Sequence, residues 1–264
     1  MNRRRKHIGG GHGLMNYEAI GAASSLKWWL NFSEIGGLSS TITKHDTTYC
    51  SAASNKAAAS TGTSGDFQDG AGGGTTSTSP NFVSDGIKAG RSNLDFVGDE
   101  NHLDISDAGG AELSDFQIYM VMKVTDEDGQ TVNYFAGHTA EDLIAYYANI
   151  NQWAYIWNGG TTTLMGGPAL SDGLVSVFCF GGVSGTAAQV TLAAAGTGLG
   201  SSATKTTNLS GDFNMRAIGS IIGGGTSSTP HMHVGEVLIF NERHTDDQKK
   251  EIVKELKKEW AITY

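Results

Sequence analysis

Five oxygen-bearing side chains crowd one short stretch of the chain: Asp95, Asp99, Glu100, Asn101 and Asp104. Carboxylates and an amide at that density offer ligands for Ca2+, which takes six to eight oxygens. An acidic turn between two strands has the same composition, and the plain turn is the expectation. His231-Met-His233 sets two imidazoles on one face of a strand, one ligand short of a zinc site, so no metal is expected. Retaining glycoside hydrolysis asks for two carboxyl groups about 5–5.5 Å apart. Glu236 is the sole carboxylate of the closing strand, and a glycine turn separates Asp95 from Asp99, so neither acid has a partner on its own face. No catalytic residue is assigned, and the chain is read as non-enzymatic. Gly72-Gly-Gly74 and Gly223-Gly-Gly225 lack the Lys-Ser/Thr that completes a phosphate loop; they read as turns, and no cofactor is expected.

Two other groups of residues suit recognition. Trp153, Tyr155 and Trp157 fall on one face of a strand by its two-residue period. Exposed, that face would stack on sugar rings as a glycan contact; buried, it would be core. Arg3, Arg4, Arg5 and Lys6 form a basic cluster near the start of an otherwise acidic chain of net charge −9. Such a cluster can dock on an acidic protein surface or reach nucleic acid. The acidity of the rest argues against any other nucleic-acid contact.

The elements that must position these residues are mostly strands. Thirty-seven glycines against three prolines in 264 residues, with abundant Ser, Thr and Ala, indicate many short strands joined by tight turns. Strand patterns run over Leu26–Phe32, Leu94–Ile105, Phe116–Thr125, Thr131–His138, Leu143–Ile150, Trp153–Trp157, Leu174–Gly181, Gln189–Ala194, Met215–Ile222 and Val234–Phe240. Trp28 and Trp29 must point to opposite faces, and one of them should be core. Residues 57–80 read as a long loop of small polar residues. Cys179 lies in an apolar run and reads as a buried free thiol, with no disulfide to Cys50.

One helix is evident. Thr245 and Gln248 stand three apart as a capping box, with Asp246 and Asp247 where the helix dipole favours negative charge. Ile252, Val253, Leu256 and Trp260 then form one apolar stripe, and the lysines at 249, 250, 254, 257 and 258 read as the solvated face. Residues 1–16 read as a basic, glycine-rich arm without apolar periodicity, and residues 17–264 as one domain. The start carries no hydrophobic segment of a secretory signal, and no run is long enough to cross a bilayer.

Taken in order, four segments resemble concanavalin A-like, laminin-G-type jelly-roll domains, which recur in bacteriophage virion proteins and in secreted carbohydrate-binding proteins. They are Leu26–Ser33, residues 79–105, Ile218-Gly followed by Gly223-Gly-Gly225, and the closing strand with its helix. His244 stands where that family usually has a leucine. The resemblance implies an all-β, antiparallel, two-sheet sandwich with the C-terminal amphipathic helix on its outside and an extended N-terminal arm. It also implies a virion structural protein: a capsid decoration or cement subunit, or a fibre module. The arm would dock on the major capsid protein or another virion subunit, and the chain would form a homo-oligomer, with a trimer as the first expectation. The alternative is a lectin-like module that binds cell-surface glycans.

Overall fold

Alternation along the longest segments sets the architecture, because successive strand residues face opposite sides and each side here has something to cover it. The computed structural model describes residues 17, 25–33, 42–44, 50–53, 67–69, 80–96, 102–105, 111–126, 132–138, 142–183, 187–206, 211–219 and 231–264. In chain order its strands are β1 (Leu26–Asn31), β2 (Ile42–Lys44), β3 (Cys50–Ala53), β4 (Phe67–Asp69), β5 (Asn81–Ser84), β6 (Ser92–Phe96), β7 (Leu103–Ile105), β8 (Ala111–Leu113), β9 (Asp115–Asp126) and β10 (Val132–Gly137). They continue as β11 (Leu143–Tyr147), β12 (Gln152–Ile156), β13 (Thr163–Gly166), β14 (Val175–Val183), β15 (Ala187–Ala194), β16 (Ser201–Thr206), β17 (Phe213–Met215), β18 (Ala217–Ile218) and β19 (His231–Phe240). Among the described residues one α-helix, α1 (Asp246–Glu259), follows.

The strands pair into two large antiparallel sheets. The first runs β16-β15-β14-β9-β19-β6-β5, and the second β13-β12-β11-β10-β18-β7-β4-β3-β2; β8 and β17 make a small third pair. β1 and β6 share one edge of β19 end to end, β1 against Glu236–Phe240 and β6 against Met232–Val234. This is the all-β sandwich with a closing helix that the sequence implied.

The inner face of β9 sends Phe116, Ile118, Met120, Met122 and Val124 into the core between the sheets, while Tyr119 and Val121 face outward. β14 repeats the pattern with Phe178 and Phe180 inside and Val177 and Cys179 outside. In β19 a register shift between Val234 and Glu236 resets the alternation, so that Val237 and Ile239 point in and Leu238 and Phe240 point out. The outward residues are capped by α1, whose Ile252, Val253, Leu256 and Trp260 are all buried against them. The capping box is formed: Thr245 Oγ1 accepts from the Gln248 N–H at 3.3 Å and Gln248 Oε1 from the Thr245 N–H at 2.8 Å.

Several expectations need correction. Lys249 and Lys257 do not belong to the solvated face of α1; both are buried. A long lysine side chain can bury its aliphatic stem while its ammonium reaches a polar partner. The Lys249 ammonium donates to Gln189 Oε1 at 2.5 Å, and that of Lys257 to the carbonyls of Ala194 at 2.5 Å and Gly198 at 3.0 Å. The long loop at 57–80 contains strand β4, and the run expected at Met215–Ile222 is divided between β17 and β18. Neither Trp28 nor Trp29 is fully buried: Trp28 packs on the core between the sheets and Trp29 on the cluster beneath α1. Cys179 is a buried free thiol as expected, and burial pushes it up to about 12. The expected arm at 1–16, with Arg3, Arg4, Arg5 and Lys6, lies outside the described residues. Among those residues no helix is long and apolar enough to cross a membrane.

Candidate functional site

The aromatic face of β12 turns inward. Trp153, Tyr155 and Trp157 are 1%, 1% and 5% exposed, which removes them as glycan contacts. The cause is register: β12 sits between β11 and β13 with that face toward the opposite sheet. There Trp153 packs 4.8 Å from Phe178 and 5.0 Å from Phe135, and Trp157 5.3 Å from Phe116. Both indole N–H groups are satisfied internally, by the carbonyls of Pro168 at 2.9 Å and Gly211 at 3.1 Å.

The outer face of the first sheet holds what the sequence scattered. Where β6 meets β19, Asp95 lies opposite His233; on its other side it lies opposite Asn81 of β5, and His233 in turn lies opposite Lys123 of β9. Asn81, Asp95, His233 and Lys123 therefore form one row across four strands, with Asn93 two residues along β6 on the same face. Asp95 belongs to a strand and not to an acidic turn. Asp99, Glu100 and Asn101 lie outside the described residues. No group of three or more His, Cys, Asp or Glu that could hold a metal occurs among the described residues.

The cluster is short of hydrogen bonds. Asn93 is 0% exposed, yet neither its Oδ1 nor its Nδ2 has a partner among the described residues, and Asn81 Oδ1 is likewise buried and unmatched. Asp95 Oδ1 and His233 Nδ1 are 3.5 Å apart, within ion-pair distance, with no hydrogen bond between them. A buried polar atom left without a partner costs about 1–3 kcal/mol, so these atoms favour any group that can pair with them. Burial is the largest influence on the pair: it pushes the Asp95 carboxyl up, against the pull of His233 and His231, and pushes His233 down, against the pull of Asp95.

The loop between β5 and β6 covers the cluster. A Cβ at Gly86 would stand 2.6 Å from Asn93 Oδ1, 2.7 Å from His233 Nδ1 and 2.9 Å from Asn93 Nδ2, so only glycine lets the backbone pass there. Lys123 Nζ donates to the Gly86 carbonyl at 3.2 Å. Further along, Lys88 Nζ donates to the Glu259 carbonyl at 2.6 Å, and the Arg91 guanidinium lies 2.5 Å from Glu259 Oε1 and over the Trp260 ring.

Beside the cluster, beneath the end of α1, Glu236 is buried with both carboxylate oxygens engaged. Oε1 accepts from the Trp29 indole at 2.8 Å and Oε2 from the Trp260 indole at 2.9 Å. Burial pushes this carboxyl up, and the two indole donors pull it back. Under the start of α1, the buried Tyr119 hydroxyl lies 2.7 Å from His244 Nδ1, and His244 Nε2 lies 3.5 Å from Glu242. Burial keeps Tyr119 protonated, so its O–H donates to a neutral imidazole.

Among these residues sequence reasoning named Asp95 and His233 but assigned them to separate motifs. Asn81, Asn93 and Lys123 were missed, because an amide or lysine inside a strand resembles any solvent-facing position. An alternation of Asn93 and Asp95 with apolar Leu94 and Phe96 was the available signal.

No family model matches the chain, and no curated protein matches it in sequence. In three dimensions it is similar to the binding domain of Paraclostridial Mosquitocidal Protein 1, with a TM-score of 0.54 at 10% identity over 89% of this chain and 53% of that one. It is similar also to the ligand-binding domain of botulinum neurotoxin serotype D solved with N-acetylneuraminic acid, with a TM-score of 0.54 at 5% identity over 88% and 51%. A Trypanosoma rangeli sialidase solved with sialic acid gives a TM-score of 0.50 at 12% identity over 89% and 33%. The chain thus spans about a third of the sialidase and about half of each toxin domain. The class these likenesses define is the β-sandwich. They carry the fold, and not the narrower concanavalin A-like or bacteriophage assignment.

Proposed function

We propose that this protein is a non-enzymatic, glycan-binding β-sandwich module whose sugar contacts are made by the polar row on the outer face of the first sheet. The observation that carries the reading is Asn93, a fully buried amide with both polar atoms unmatched among the described residues and clustered with Asp95 and His233. Sugar hydroxyls donate and accept at once, and a carboxylate beside amides and an imidazole answers both needs. Lys123 at the end of the row adds a cation, which suits an acidic sugar such as the sialic acid bound by the sialidase and the botulinum domain. The shared sandwich supports the reading only by analogy, since the fold serves many functions. Hydrolysis by a pair of carboxyl groups would need a second one converging on the glycosidic bond, and a sialidase-type reaction a tyrosine nucleophile, which the row Asn81, Asp95, His233 and Lys123 does not contain. The charged groups acting on Asp95 are instead His233 and His231. A virion role, with Arg3, Arg4, Arg5 and Lys6 docking on a capsid protein and copies of the chain associating, rests on the sequence alone, and the similar structures favour the glycan reading.

Immobilised glycans, neutral and sialylated, provide the test. The wild-type protein is expected to retain at least one class, and Asn93→Ala or Asp95→Asn to weaken that binding by at least about tenfold while the fold is kept. Retention of no glycan, or binding untouched in both folded variants, would sink the proposal.

A further inference from the structure

We propose that residues 85–91 are a strap that closes over the polar cluster and lifts to admit ligand, with Glu259 at the end of α1 as its latch. The inference rests on reading the cluster as the binding site, and it adds how that site is opened. The strap is a preformed loop with a sharp turn at each end: Asp85 has φ +64° and Gly90 φ +74°, and the Asp85 carboxylate accepts from the Gly90 N–H. Backbone bonds from the Asp85 N–H to the Arg91 carbonyl at 3.0 Å and from the Arg91 N–H to the Lys88 carbonyl at 3.1 Å hold it together, so it can move as a unit about those ends.

What ties the strap down is polar. Lys123 holds the Gly86 carbonyl, Lys88 holds the Glu259 carbonyl, and Arg91 pairs with the Glu259 carboxylate. Its one large apolar side chain, Ile87, is only partly buried on the helix-side cluster, while Asp85, Ala89 and Gly90 are exposed. Segments with so little buried apolar contact open well before the whole fold does. The closed strap also holds the Asn93 amide and His233 Nδ1 out of water without giving them partners among the described residues, which works against closure. Attraction at the latch and desolvation under the strap are therefore opposed, and a ligand that supplies hydrogen bonds to Asn93 shifts the balance toward the open form.

The test uses no sugar, so it stands or falls separately from glycan binding. In an Asn93→Cys background, alkylation of the new thiol by iodoacetamide reports strap opening, with the parent protein correcting for Cys50 and Cys179. Adding Glu259→Gln is expected to speed that alkylation by at least about tenfold, with the Val177 amide equally slow to exchange in both proteins. Equal alkylation rates would overturn the latch. Should Asn93→Cys fail to fold, the rate of tryptic cleavage after Lys88, whose ammonium the closed strap ties to the Glu259 carbonyl, reads the same event in the Glu259→Gln protein against wild type. Cleavage faster by a similar factor supports the strap, and an unchanged rate refutes it.

Discussion

Trp260→Ala lowers the free energy of unfolding by about 3–5 kcal/mol, the range for deleting a large buried aromatic, with a further cost of about 1–3 kcal/mol for the acceptor it strands. Trp260 is 1% exposed, and its indole N–H is the donor to Glu236 Oε2 at 2.9 Å. The ring lies flat against the backbone of β19: a Cβ at Gly235 would stand 2.5–2.7 Å from three of its atoms. Removing the ring leaves a cavity between helix and sheet and a buried carboxylate with one donor fewer. Trp260→Phe separates the two effects, since it keeps most of the packing and loses only the N–H. Urea denaturation at neutral pH measures both variants. A Trp260→Ala midpoint within experimental error of wild type would mean that α1 is not docked through this residue.

The helix was legible because every device that forms it is local. Thr245, Gln248 and the stripe Ile252, Val253, Leu256 and Trp260 lie within one short segment, and the structure keeps each of those roles. The long strands β9, β14 and β19 were legible for a similar reason, as apolar alternation over eight or more residues has few competing explanations. Short strands of small residues, such as β3 (Cys50–Ala53) and β16 (Ser201–Thr206), carry no such pattern and form because a neighbouring strand offers hydrogen bonds. Sheet register was the information missing at the site. Asp95 and His233 stand far apart in the chain, and only the pairing of β6 with β19 shows that they face each other. The same holds for Lys249 and Lys257, whose partners are contributed by β15 and the loop after it. A lysine in a charged helix pattern announces a solvated face unless an edge carbonyl within reach of its stem replaces the water.

Acidification from pH 6.5 to about 4 is expected to remove about 3 kcal/mol of stability from the wild-type protein that His244→Asn does not lose. The His244 imidazole is 3% exposed, and burial lowers it from the usual histidine value to about 4, against the pull of Glu242. A histidine held neutral in this way binds fewer protons folded than unfolded. Its contribution is complete above the unfolded value of 6.5 and is lost as pH falls toward the folded value of about 4. Asparagine keeps a polar atom near Tyr119 and does not titrate, so the variant starts less stable at neutral pH but has a flatter acid limb. His233, which burial also lowers, adds loss in the same direction in both proteins. Glu236 and Asp95, which burial raises, act in the opposite sense: their contribution is present at low pH and fades as pH rises through their folded values. Because those three groups are common to both proteins, the difference between the two pH profiles isolates His244. Urea denaturation at half-unit steps between pH 7.5 and 4 gives that difference, and parallel profiles would show that the imidazole under α1 is not held neutral by burial.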